Sequence, residues 1–309
     1  MTDNSRNLLV RVVTALVLLP LIIWLVWLGG LWFALLIAAA AGMCALEVNL
    51  LPANLPREEP EPGSEDQQLS RKQRQKKRSL VQEEIEELEL ESAVISGAGI
   101  ASVGGAILIP LLDEISFGFL SAKLVLAGVL MISFADALLF EENLENAPRR
   151  VGLAVLGAVY PGLLLSALVR LRQHDKGEWW IILALAVTWM NDTGAYFAGR
   201  AFGKRKLFER ISPSKTREGA IGGALASIAG ALVVQHFWLP DLPLWGAAVI
   251  GAGAAILGPV GDLSESMLKR AFHAKDSGRL LPGHGGFLDR LDALLFNAPF
   301  VLLCARLFG

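Results

Sequence analysis

Residues 264–292 read SESMLKRAFHAKDSGRLLPGHGGFLDRLD, between two mainly apolar runs, PLWGAAVIGAGAAILGPVG (243–261) and LDALLFNAPFVLLCARLF (291–308). Each flanking run is long enough to cross about 30 Å of hydrocarbon as a helix at 1.5 Å rise per residue. The stretch between them carries Glu265, Lys269, Arg270, Lys275, Asp276, His284, Asp289, Arg290 and Asp292. Charges at that density beside a bilayer are costly unless they meet partners or a ligand. The juxtaposition implies spanning helices that hold a polar device at a membrane surface.

The same apolar pattern recurs along the chain. Of its 309 residues, 53% are apolar, above the ordinary soluble range of about 45–50%. Closed backbone hydrogen bonding in lipid leaves helices as the form for such runs. We therefore expect an all-α, polytopic integral membrane protein with about nine transmembrane helices, near 10–29, 31–50, 93–112, 123–141, 152–170, 179–199, 219–238, 243–261 and 291–308. The run from Val10 to Gly29 is too long for a cleaved signal and lacks a small-residue cleavage site, so it is expected to be a retained first span. Cys44 and Cys304 both fall in apolar runs and are expected to be packing residues. Trp27, Trp32, Trp179, Trp180, Trp238 and Trp245 cluster near span ends, where interfacial anchoring accounts for them. Asp136 lies inside a span, where it could mark a polar path or merely reach the headgroups.

Four regions follow: a hairpin of spans over 1–50, a charged insert over 51–92, middle spans over 93–178, and a region over 179–309 that holds the chemistry. The insert contains Pro52, Pro56, Pro60 and Pro62, then RKQRQKKR (71–78) and EEIEELELE (83–91). Proline and charge without apolar content predict disorder over most of it. Its basic block would either meet anionic headgroups or pair with the acidic block. Lys and Arg concentrate on the N-terminus and on the segments after the second, fourth, sixth and eighth spans. The positive-inside bias puts that side, and most candidate functional residues, in the cytoplasm of a cell-membrane protein.

Three constellations lie there. Asn191-Asp192-Thr193-Gly194-Ala195-Tyr196, with Arg200, could line a polar cleft or only cap a helix end. Ser212-Pro213-Ser214-Lys215-Thr216-Arg217, in a basic loop, precedes a helix whose free N–H donors would cradle phosphate, unless the loop only satisfies the topology rule. The third pairs Asp262, Glu265 and Ser266 on one helical face with Asp289 and Asp292 at the start of the last span. Pro282-Gly283-His284-Gly285-Gly286 between them should be a tight loop that lets backbone approach a ligand. Two carboxylate-bearing helix ends joined by that loop can converge on one cation, and oxygen donors without cysteine favour Mg²⁺ over zinc. The alternative is a web of surface ion pairs, Asp289 with Arg290 or Lys275 with Asp276.

The pattern Ser266-x-x-Lys269-Arg270, Lys275-Asp276, Pro282-x-His284-Gly285-Gly286-x-x-Asp289-Arg290-x-Asp292 resembles the signature of the phosphatidate cytidylyltransferases (CDP-diacylglycerol synthases). NDTGAYFAGR (191–200), SPSKTREGAIGG (212–223) and GDLSES (261–266) are similar to that family too. The resemblance implies transfer of CMP from CTP to phosphatidic acid, giving CDP-diacylglycerol and pyrophosphate at the cytoplasmic membrane face. It further implies a homodimer, membrane lipid and no nucleic acid as partners, and Mg²⁺ with a second, monovalent cation such as K⁺. Asp262 and Asp289 fall on the family's metal-binding aspartates. Ser212, Ser214, Lys215, Lys269, Arg270, His284 and Arg290 are the implied catalytic residues, with His284 either donating to the leaving group or ordering the loop. Asp192, Thr216, Arg217, Glu265, Ser266, Lys275, Asp276, Gly285, Gly286 and Asp292 are the implied substrate contacts. An ion-coupled transporter and a CTP-dependent lipid kinase are the competing readings. Acids and bases crowded onto one surface, instead of lining a path at mid-depth, weigh against the transporter.

Overall fold

The computed structural model describes residues 20–54, 96–115, 118–141, 143–278 and 286–309. Eight helices in it are long and apolar enough to cross a membrane. Following a short helix α1 over residues 20–28, they are α2 (Gly30–Leu50), α3 (Gly97–Glu114), α4 (Gly118–Phe140), α5 (Ala147–Arg172), α6 (Gly177–Phe202), α7 (Arg217–Trp238), α8 (Leu244–Ala271) and α9 (Leu288–Phe308). The all-α expectation holds, apart from one antiparallel hairpin of β1 (Lys206–Phe208) and β2 (Ser212–Thr216). Eight of the expected spans are present. Of the expected first span, residues 20–28 are helical and 10–19 lie outside the described residues, as do residues 55–95 of the insert.

Consecutive helices run back and forth, so one end of the bundle collects the C-terminal ends of α2, α6 and α8 and the N-terminal ends of α7 and α9. The break between α1 and α2 is made at Gly29 and Gly30, both at positive φ, where a side chain would be strained. A Cβ at Gly29 would also meet Arg172 Nη2 at 2.8 Å. Arg172 donates to the carbonyls of Val26 (2.7 Å) and Trp27 (3.2 Å), closing this opposite end of the bundle.

Small residues set the closest helix crossings, because lipid offers no hydrophobic drive between helices. A Cβ at Gly194 of α6 would come within 2.5 Å of Ala226 Cβ and 2.7 Å of Gly222 O on α7. Buried polar ties fix register elsewhere. Asn297 Nδ2 of α9 donates to Thr188 Oγ1 of α6 (2.8 Å), and Ser227 Oγ of α7 donates to Gly251 O of α8 (2.9 Å). Arg170 grips the buried Asp113 through two N–H donors, at 2.7 and 2.9 Å.

Three expectations change. Asp136 is 4% exposed and accepts from Gly97 N while pairing with Arg150, both at 2.8 Å, so it neither opens a path nor reaches headgroups. Trp180 is core, at 2% exposure, rather than an interfacial anchor. Helix α8 continues to Ala271, beyond both the expected Asp262–Ser266 face and its apolar stretch, which ends near residue 261. Apolarity stops there, yet SESMLKRA contains good helix formers, and a helix needs apolar residues only where lipid surrounds it.

Candidate active site

The hairpin and α7 build one wall of the site. Lys206 pairs with Thr216 and Phe208 with Ser212 across the strands, so what the sequence presented as a loop is a short rigid ribbon. Thr216 caps α7, its side chain accepting from Gly219 N at 3.1 Å. Arg217 N donates to Arg205 O (2.9 Å), and Glu218 draws in the amides of Lys204 and Arg205. The first turn of α7 was expected to offer free N–H donors to phosphate. Those of Arg217 and Gly219 are already satisfied within the protein, and the side chains of Ser214 and Lys215 line the cavity beside them.

Between this wall and α6 and α8 lies a cavity of about 510 Å³, lined by Asp192, Arg200, Ser214, Lys215, Thr216 and Asp262 among others. Lys215 Nζ approaches Asp262 Oδ2 at 2.5 Å. Ser266 Oγ donates to Asp262 Oδ1 at 3.4 Å, so Asp262 and Ser266 do share a face of α8. Asp192, Asp262 and Asp292 lie within electrostatic reach of one another and of Lys215. Helices α8 and α9 approach backbone to backbone at this level, where a Cβ on Gly261 would strike the carbonyl oxygen of Asp292.

The second cluster begins about one turn farther along α8, at Glu265, and extends to Lys269. Lys269 Nζ bridges Glu265 Oε2 (2.8 Å) and Asp289 Oδ1 (2.5 Å). The other oxygen of Asp289 accepts from Ser277 N (3.1 Å) and Gly286 N (3.0 Å), and lies 3.1 Å from Ser277 Oγ, whose single proton it shares with Glu47. Glu265 is 1% exposed, and its Oε1 accepts from no donor among the described residues. Arg270, Lys275, Asp276 and Arg290 are exposed around this cluster, and Arg217 is exposed on the hairpin side. His284 and Gly285 lie outside the described residues. The sequence signature thus divides between two stations on α8: Asp262 opposite Lys215, and Lys269 opposite Asp289.

A divalent cation can be weighed against these donors. Among the described residues, no three His, Cys, Asp or Glu side chains are gathered at ligating distance. The cavity offers carboxylate oxygens of Asp192 and Asp262 beside the hydroxyls of Ser214 and Thr216, with Asp292 within electrostatic reach, against Arg200 and the ion-paired Lys215. An all-oxygen donor set in which carboxylates outnumber cations fits a hard ion such as Mg²⁺. Asp289 would have to release Lys269 to take part.

Sequence reasoning missed two residues. Glu47 of α2 is fully buried and accepts from Ser277 Oγ, Phe287 N and Leu288 N, each at 2.8 Å. Tyr160 sits on a π-helical turn of α5, Val159–Leu163, where Pro161 lacks the N–H needed to continue the α-helical ladder. Its buried hydroxyl has no partner among the described residues, its ring packs edge-on to Phe296, and it lies in the field of Asp292, Glu265 and Asp262. A lone acid in the apolar run GLWFALLIAAAAGMCALEVNL was the available signal for Glu47; Tyr160 had none.

A family model described as the cytidylyltransferase family matches residues 80–308. The chain belongs to that family. It is 42% identical over 160 residues to the phosphatidate cytidylyltransferase of Bacillus subtilis (strain 168), a match covering 52% of this chain and 60% of the relative. The phosphatidate cytidylyltransferase of Brucella suis is 46% identical over 160 residues, 51% of this chain and 58% of the relative. That of Staphylococcus epidermidis (strain ATCC 12228) is 46% identical over 128 residues, 41% of this chain and 49% of the relative. The chain therefore matches these relatives over about half to three-fifths of their length. Both stations on α8 fall within the span matched by the cytidylyltransferase model, whereas Glu47 lies outside it.

Proposed function

We propose that this cytidylyltransferase joins phosphatidic acid to CTP at the cytoplasmic membrane face, releasing pyrophosphate. The observation that carries the reading is the cavity in which Lys215 and Asp262 meet at one end of a membrane-spanning bundle. There a lipid phosphate can enter while its acyl chains stay in hydrocarbon, and a nucleotide can arrive from water. The names of the relatives supply the substrate class.

A phosphate oxygen of phosphatidic acid attacks the α-phosphorus of CTP. A P–O bond forms to the lipid phosphate, the bond between the α- and β-phosphates breaks, and pyrophosphate leaves with the electron pair. A phosphomonoester, with a second pKa near ~6, is already largely anionic at neutral pH, so no strong base is needed. The barrier is repulsion between two polyanions. Lys215, Lys269, Arg270 and Arg290 hold phosphate oxygens, the arginines suited to paired hydrogen bonds. Ser212, Ser214, Thr216 and Arg217 line the approach from the hairpin, and Asp192, Glu265, Ser266, Lys275, Asp276, Gly286 and Asp292 complete the binding surface. Asp262 and Asp289 are the residues that would hold Mg²⁺, and bound there it would supply charge neutralisation between the reacting phosphates. Electrostatic placement of this kind carries most catalysis in phosphoryl-type transfer. A second, monovalent cation and a homodimer are part of the same proposal.

The test is Asp289→Ala in purified protein. CMP incorporation into lipid should be lost while the variant still inserts and purifies as wild type does. Near-wild-type turnover would overturn the assignment of Asp289.

A further inference from the structure

We propose that Glu47 is a positioning residue of the active site, a carboxylate from α2 that caps the first turn of α9 and so sets the place of Asp289. The inference rests on the reading of the Lys269–Asp289 station as part of the transferase site. Phe287 N and Leu288 N are orphan donors of the α9 start, and neither is served by a local side-chain cap. They donate to Glu47 Oε1 and Oε2, from a residue some 240 positions earlier in the chain. A fixed negative charge at a helix N-terminus is favoured by the helix dipole.

The same carboxylate is wired to Asp289 through one side chain. Ser277 Oγ lies 2.8 Å from Glu47 Oε2 and 3.1 Å from Asp289 Oδ2. The surrounding backbone is built around the carboxylate. A Cβ at Gly278 would meet Glu47 Oε1 at 2.6 Å, and one at Gly286 would meet Glu47 Oε2 at 2.8 Å. Glycine at both positions is what lets the chain close over an acid with no exposure to solvent. A buried carboxylate is costly without partners, and here three donors stabilise it. Glu47 touches neither reacting phosphate in this scheme. Its effect passes through Ser277 and the α9 start to the angle at which Asp289 meets Lys269.

The experiment uses the full chain in detergent or nanodiscs, with Glu47→Gln, Glu47→Ala and Ser277→Ala. Asp113→Asn, at the opposite end of the bundle, is the comparison for loss of a buried carboxylate without positional effect. Displacement of a holding group typically costs 10–100-fold, so Glu47→Gln should lower kcat about tenfold and Glu47→Ala about a hundredfold per folded molecule. KM for CTP should stay within about threefold, and Ser277→Ala should add little to Glu47→Ala because both cut one chain of contacts. Asp113→Asn should keep kcat per folded molecule. Independently of activity, amide exchange at Phe287 and Leu288 should quicken by about tenfold in Glu47→Ala, with α6 and α7 unchanged. Unchanged exchange at those amides overturns the capping claim. Quickened exchange with kcat within twofold of wild type overturns the positioning claim. Wild-type protein that transfers no CMP overturns the proposed function instead, and the exchange result alone then decides whether Glu47 caps α9.

Discussion

Lys215 Nζ stands 2.5 Å from Asp262 Oδ2, joining the β-hairpin to α8 in the wall of the cavity. The pair is only partly covered, with 22% of the Lys215 side chain and 35% of the Asp262 side chain exposed. A contact this open contributes little to stability by itself. Its value is positional: a cation and an anion from separate elements are presented together to whatever enters the cavity.

Lys215→Ala should therefore cost activity far more than stability. We expect CDP-diacylglycerol formation to fall by about a hundredfold or more, the scale of removing a preorganised charge from a transfer site. Lys215→Arg should recover only part of it, since a planar guanidinium does not replace a compact ammonium. Unfolding midpoints in detergent should barely move for either variant.

Lys269 should behave in the opposite way. It is the shared counter-charge of Glu265 and Asp289, so Lys269→Met strands two partly or wholly buried carboxylates. Breaking such a set costs about 3–5 kcal/mol, visible as a lower unfolding midpoint and a smaller yield of monodisperse protein. Combining it with Glu265→Gln should restore part of the stability, because the fully buried acid is then neutral.

The α6–α7 contact tolerates no side chain at Gly194. Gly194→Val places atoms against Ala226 Cβ and the Gly222 carbonyl, and overpacking of this kind costs about 1–3 kcal/mol. Thermal unfolding in detergent checks it. Because Asp192 lies on the same stretch of α6, activity should fall along with stability.

Sidedness is testable with cysteine labelling, because native Cys44 and Cys304 are buried. In sealed, right-side-out vesicles, Asp241→Cys should react with a membrane-impermeant maleimide. Arg205→Cys should react only after the vesicles are opened. The reverse result would place the cavity on the outer face.

Much of this architecture could be read from the chain, because apolar run length reports spans directly. Asp262 and Ser266 were legible as one helical face from their spacing of four. The extension of α8 to Ala271 was not, since hydropathy marks where lipid ends rather than where a helix ends. Nor was the partner of each acid. Spacing placed Asp262 near Asp289, whereas the fold sets Asp289 against Lys269 and Asp262 against Lys215. Glu47 was hidden for the same reason: its partners lie at Ser277, Phe287 and Leu288, and no local pattern encodes a contact across most of the chain. Ser212–Thr216 read as a loop because one proline and two serines disguise a five-residue strand.

The most direct measurement follows the phosphorus. Purified protein is incubated with phosphatidic acid vesicles and CTP labelled at either the α- or the γ-position, with and without Mg²⁺. Label from the α-position should appear in lipid only when Mg²⁺ is present, while γ-label leaves as pyrophosphate. Lipid carrying γ-label, or lipid carrying neither, would contradict CMP transfer at this site.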